Sequence, residues 1–214
     1  MTVCIAAICN SGNAIVMAAD TMLTGEDLMI EYEFTSSKIQ KLTDNCAICV
    51  AGDAHIETDL LRIVKAEISK LKAPSNEDIV EYLKSAYIDL RLKGIREEIL
   101  YPIGFETISQ FYELQDEMMN EVALDIQDKI EEYDMEISLL VGVVEDDGAH
   151  ITVVENPGVA NTWDSLAFHA IGIGYSHADT TLIIEGYEPS DSLQTALLSV
   201  YGAKKAAEKA PGVG

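Results

Sequence analysis

Apolar, β-compatible runs gather in two clusters along this 214-residue chain, and long helical periodicities lie between and after them. This order constrains the fold more than any other feature. Thr2–Cys9 and Ala14–Ala19 are apolar runs separated by the turn signal Asn10–Asn13, a β-hairpin pattern. Asp20–Ser37 is polar and is expected to be irregular. Lys38–Leu42 and Ala47–Val50 read as a second strand pair turning at Thr43–Asn45. A helix is expected from Ala54, because Ile56, Leu60, Ile63, Val64, Ile68 and Leu71 recur at three- and four-residue spacing. Ser75 and Asp78 form a capping-box pattern, so a second helix starts there and runs to about Leu100, where Tyr101–Gly104 breaks it. One or two acidic helices are expected over 106–133. Ile137–Val144, Ile151–Val154 and Phe168–Ile171 return to strand, and Ala178–Tyr187 and Ser190–Glu208 read as helices. Strands in runs and helices in runs predict an α+β layered fold rather than alternating βαβ units.

With 48% hydrophobic residues the chain can bury a core, and its length suits one domain over 1–214. No apolar run has the length of a membrane span and no basic leader region opens the chain, so a cytoplasmic location with no membrane partner is expected. Thirty-seven acids against 14 bases leave a net charge of −23, which repels phosphate backbones and argues against nucleic acid. Ten of the acids fall between Glu113 and Glu136, and Met118, Met119, Val122, Ile126 and Ile130 supply the stripe expected to pack that segment down. The four histidines share no ligand spacing, so neither a metal nor a cofactor is expected. Cys46 and Cys49 make a C-x-x-C inside an apolar run without a turn. Strand alternation sends their thiols to opposite faces, which argues against redox or metal use.

Thr2 places a hydroxyl at the tip of the first strand, and removal of Met1 would add a free amine on the same residue. An α-amino group titrates near pH ~8 and can deprotonate the hydroxyl. A nearby cation would tune both groups, and a backbone N–H would meet the developing oxyanion. Asp20 ends the second strand, Lys38 begins the third, and Gly52 follows the fourth. Taken singly, such residues are a turn cap, a surface charge and a turn glycine.

As an ordered set they resemble a known family. "TVCIAAIC", "AIVMAADTMLTG", "SSKIQKL" and "AICVAGDAHIETDLL" are similar to the proteasome β-subunit-like N-terminal-nucleophile hydrolases, the superfamily of the proteasome and the two-component protease HslV. The resemblance implies a four-layer αββα sandwich, two antiparallel sheets between helical layers. It implies peptide-bond hydrolysis with Thr2 as nucleophile, Asp20 and Lys38 as the tuning pair and the Gly52 N–H as oxyanion donor. Thr24 would hold a polypeptide substrate by strand addition, and Val50 would floor the specificity pocket. A homo-oligomeric ring and a gating or unfoldase partner are implied as well. The chain departs from the family in three places. Ile173 stands where a serine supports the amine, with Tyr175 and Ser176 as nearby substitutes. Only Glu208 is near the place of a further acid, and the closing C-terminal strands are absent. A helical insertion occupies 97–133. A non-catalytic ring-forming subunit and a transpeptidase or ligase are the alternatives.

Overall fold

The computed structural model describes residues 2–25, 30–33, 37–210 and 213. Among these residues, ten strands and six α-helices form a mixed α/β fold with antiparallel sheets. Strand β1 (Cys4–Cys9) lies between β2 (Ala14–Ala19) and β10 (Phe168–Ile171) in a three-stranded sheet. All six β1 residues are buried, so a continuous apolar run replaces alternation. Val3, Ile5, Ala7 and Cys9 face the helices α5 (Tyr175–Glu185) and α6 (Leu193–Ala207). Cys4, Ala6 and Ile8 face the second sheet.

That sheet has the order β5 (Ile39–Lys41), β6 (Cys46–Ala51), β7 (Ser138–Glu145), β8 (Gly148–Glu155) and β9 (Val159–Thr162). Its strands alternate between two cores. Ile48, Val50, Leu139 and Val141 pack under α1 (Ala54–Ile68) and α2 (Asn76–Gly94), whereas Cys49, Ala51, Leu140 and Ile151 meet the first sheet. The layers therefore run helices, sheet, sheet, helices. Gly142 marks a close approach between the sheets, since a Cβ there would stand 3.2 Å from Met17 Sδ and 3.3 Å from Ile15. No helix among the described residues is long and apolar enough to cross a membrane.

Local chemistry sets the helix starts. Asp53 caps α1 by accepting from the N–H groups of His55 and Ile56. Ser75 and Asp78 complete the expected capping box of α2. Beyond α2 the chain continues through a π-helical turn (Ile95–Leu100), a 3₁₀ turn (Tyr101–Ile103), α3 (Ile108–Leu114) and α4 (Asn120–Glu132). These pieces close a small core of their own around Ile95, Leu100, Phe111, Ile126 and Ile130. Arg91 ties it to α2 by donating to the carbonyls of Ile130, Glu131 and Tyr133 at the C-terminal end of α4.

Two expectations need correction. Asp20–Ser37 is not wholly irregular, because β3 (Met22–Gly25) pairs with β4 (Ile30–Glu33). The alternation in "IEYE" is a period-two signal in a charged stretch. A fifth strand, β9, follows Gly158 and extends the second sheet. In the acidic segment Met118, Ile126 and Ile130 pack inward, but Met119 is 75% exposed and Val122 is exposed too. Met119 stands at the N-cap of α4 and Val122 in its first turn, where the helix end leaves them open to water. All ten acids between Glu113 and Glu136 are exposed, as their charge requires.

Candidate active site

One end of the two facing sheets brings together residues from four strands and one turn. Thr2 precedes β1, and Asp20 closes β2 with its N–H on the Val3 carbonyl at 3.1 Å. Asp20 is 1% exposed, and three donors surround its carboxylate. The Val3 N–H reaches Oδ1 at 3.0 Å, Lys38 Nζ reaches Oδ1 at 2.8 Å, and the Met22 N–H reaches Oδ2 at 3.1 Å. A buried carboxylate is tolerable only when its lone pairs are met in this way.

Lys38 enters from the other sheet, directly before β5. Its ammonium has three donors and all three are used. They go to Asp20 Oδ1, to the Met22 carbonyl at 2.6 Å and to Thr2 Oγ1 at 2.7 Å. The Thr2 hydroxyl oxygen thus rests on a cation that is itself held by a buried anion. Thr2 is 7% exposed. Charge-assisted contact to the oxygen favours its ionised form, the direction a nucleophile needs.

Gly52 follows β6 with φ +129°, and a Cβ there would stand 2.2 Å from the Glu136 carbonyl oxygen. Glu136 is itself a non-glycine residue at φ 53°. No described residue accepts a hydrogen bond from the Gly52 N–H. The glycine is thus required by backbone packing on the entry to β7, and its N–H is left for another acceptor. Val50 is 3% exposed and points beneath α1 and α2, so it belongs to the helix-side core rather than to an open pocket floor. Thr24 is opposite Glu31 in the β3–β4 hairpin, and its side chain lies outside the described residues, as does Met1.

The "GIG" turn, Gly172–Gly174, supplies contacts that the residue types alone do not announce. A Cβ on Gly172 (φ +84°) would stand 2.2 Å from the Thr2 carbonyl oxygen and 3.4 Å from the Ala51 side chain. Gly174 N–H approaches the same Thr2 oxygen at 3.5 Å. This turn therefore fixes the Thr2 backbone against the strand that leads to Gly52. Gly172→Ala should both unfold at lower temperature and misplace Thr2, because the left-handed φ and the backbone clash act together. A fall in Tm of roughly 5 °C or more is expected by calorimetry. A variant with an unchanged Tm would remove Gly172 from this role. Ile173 of this turn and Tyr175 and Ser176 at the start of α5 are all exposed, and none of their side chains bonds Thr2 among the described residues. Glu208 is paired with Lys204 and Lys205 instead.

The cysteines are poor competitors for the nucleophile's role. All four are free and buried. Cys46 faces the helix-side core and Cys49 the sheet–sheet core, as strand alternation requires. Burial pushes the Cys46 thiol up to about 12, and a hydrogen bond with Cys49 followed by burial raises Cys4 well above its ordinary value.

Glu57, in the first turn of α1, is a neighbour of this site that its sequence position did not single out. Burial lifts its carboxyl above the usual range, while Lys38 and Lys65 pull it down. Because the folded pKa is raised, Glu57 favours the fold at low pH, and that contribution is lost as pH rises through the folded pKa. Glu57→Gln should therefore raise Tm at pH 7 by roughly 1–3 °C. The gain should vanish below about pH 4, where both states hold the proton. A pH-independent gain would show that ionisation is not its cause. No protein-family model matches this chain, and no curated protein matches it in sequence.

Proposed function

We propose that the chain is an N-terminal-nucleophile hydrolase of the proteasome-like type, cleaving peptide bonds through Thr2. The observation that carries this reading is the contact of Lys38 Nζ with Thr2 Oγ1 at 2.7 Å, backed by the buried Asp20. A surface lysine and a turn aspartate have no reason to converge on a strand-tip hydroxyl. The arrangement of helices, two antiparallel sheets and helices is compatible with the αββα sandwich of that superfamily.

The chemistry requires removal of Met1. The freed Thr2 amine takes the hydroxyl proton as Oγ1 attacks the substrate carbonyl. The Lys38 ammonium stabilises the charge at Oγ1, and the Gly52 N–H receives the oxyanion. The amine then returns the proton to the leaving nitrogen, and an ester to Thr2 remains. Water repeats the cycle and releases the acid. An incoming amine in place of water makes the same intermediate a ligation step.

A homo-oligomer is part of this proposal. Ile183, Ile184, Leu197, Leu198 and Tyr201 are exposed on α5 and α6, and such apolar surface is what subunits cover. The substrate is a polypeptide, admitted by a gating or unfoldase partner, and the four buried free thiols suit the cytoplasm. One observation favours the alternative of a non-catalytic ring subunit: the turn beside Thr2 presents Ile173, 53% exposed, and no hydroxyl bonded to the site.

Intact-mass measurement before and after incubation with an activated acyl ester tests the choice. The enzyme reading expects loss of Met1 and one acyl adduct on Thr2. Retention of Met1 with no adduct supports the structural subunit.

A further inference from the structure

We propose that the turn between β7 and β8 is a binding site for a divalent transition-metal ion, built from Glu145, Asp147 and His150. One ligand atom from each lies within 4.8 Å of the other two. The hairpin register explains why. Val143 is opposite His150 and Glu145 opposite Gly148, so Glu145 and His150 share one face of the ladder. Asp147 stands in the turn between them.

The tautomer of His150 gives the cluster its direction. Asp164 Oδ1 accepts the Ile151 N–H at 2.8 Å, which fixes the carboxylate. Its Oδ2 is 2.8 Å from His150 Nδ1, so the ring places its Nδ1 proton there. Its Nε2 faces the Asp147 carboxylate at 3.4 Å. With the Nε2 proton displaced, that nitrogen joins the Asp147 and Glu145 carboxylate oxygens as three ligand atoms within 4.8 Å of one another. An imidazole held by a carboxylate on its far nitrogen is the common arrangement of a metal-bound histidine.

Asn76 adds an observation from a different element. Its N–H, at the start of α2, donates to Glu145 Oε1 at 3.1 Å. Its own Oδ1 is buried without a hydrogen-bond partner among the described residues. One nitrogen with two carboxylate oxygens suits zinc or a neighbouring first-row ion, whereas magnesium and calcium favour oxygen alone. The role is structural. The turn is about 23 Å along β7 from Ser138, the end nearest Gly52. A bound ion would clamp the β7–β8 turn to the start of α2 and to Asp164 after β9.

The test uses the full chain, freed of metal with a chelator and titrated with Zn²⁺ alone at pH 8. One equivalent should bind, with Tm rising by roughly 5 °C or more at hundredfold excess over Kd. His150→Ala should weaken binding at least tenfold, and Asp164→Asn should weaken it by about tenfold through loss of ring orientation. Asp147→Asn, in the exposed turn, tests the same site without removing the ring. Ca²⁺ at equal concentration should leave Tm unchanged. Absence of saturable binding, binding unaltered by both His150→Ala and Asp147→Asn, or an equal response to Ca²⁺ would each overturn the site.

Discussion

Lys38→Ala should destabilise the fold by about 3 kcal/mol, because it strands a buried carboxylate. Asp20 keeps its two backbone donors, Val3 and Met22, but loses the Lys38 ammonium, the one cation bonded to it among the described residues. The Met22 carbonyl and Thr2 Oγ1 each lose a donor in the same change. Chemical denaturation should show a lower midpoint with an unchanged slope. Activity of the folded fraction should fall much further, by about a thousandfold or more, since the field at Oγ1 disappears. A double-mutant cycle with Asp20→Asn apportions the stability effect. Strong coupling, on the order of 1–3 kcal/mol, is expected for charges in direct contact. Additive effects would mean that the ion pair does not organise this end of the sheets.

The layered architecture was legible because its signals are local. Apolar runs, the Asn10–Asn13 turn and the Ser75–Asp78 box each act within a few residues, and each is where the sequence pattern put it. The opposite facing of Cys46 and Cys49 follows from period two alone. Helix starts were less secure. The helix expected from Ala178 begins at Tyr175, because Gly174 rather than a polar side chain stands at its cap. The β3–β4 hairpin was hidden by charge, and β9 by its four-residue length.

The site was legible in part for the same reason. Thr2, Asp20 and Lys38 stand at strand tips, and strand tips at one end of a sandwich converge. What the sequence could not carry was the non-local half. Gly172 looks like any turn glycine until the Thr2 carbonyl is found against it. The resemblance assigned Val50 to a pocket, while its burial under α1 and α2 is set by the pleat. The histidines showed no helical ligand spacing, and His150 finds its acidic neighbours across a hairpin turn instead.

Thr2→Ala should abolish hydrolysis and acyl-adduct formation, a loss of at least about a thousandfold, while leaving the fold and assembly intact. The expectation of an intact fold rests on how little of the packing depends on the hydroxyl. Gly172 meets the Thr2 carbonyl, Gly174 N–H points to the same oxygen, and Val3 bonds Asp20 through its N–H and carbonyl, all of which alanine preserves. The Lys38 ammonium keeps Asp20 and the Met22 carbonyl as partners and loses only the third acceptor. One hydrogen bond to a charged group, at about 1.5–3 kcal/mol, bounds the stability change. Thr2→Ser separates the two roles of the residue. It restores the oxygen without the methyl group, so it should recover adduct formation in a chain that has lost Met1. The pair of variants therefore sets chemistry against packing. If Thr2→Ala still forms an adduct at the wild-type rate, the nucleophile is elsewhere and the reading of this site as a threonine hydrolase falls. If both variants are silent while the wild type reacts, the methyl group must position the hydroxyl, and Lys38 alone does not hold it in line.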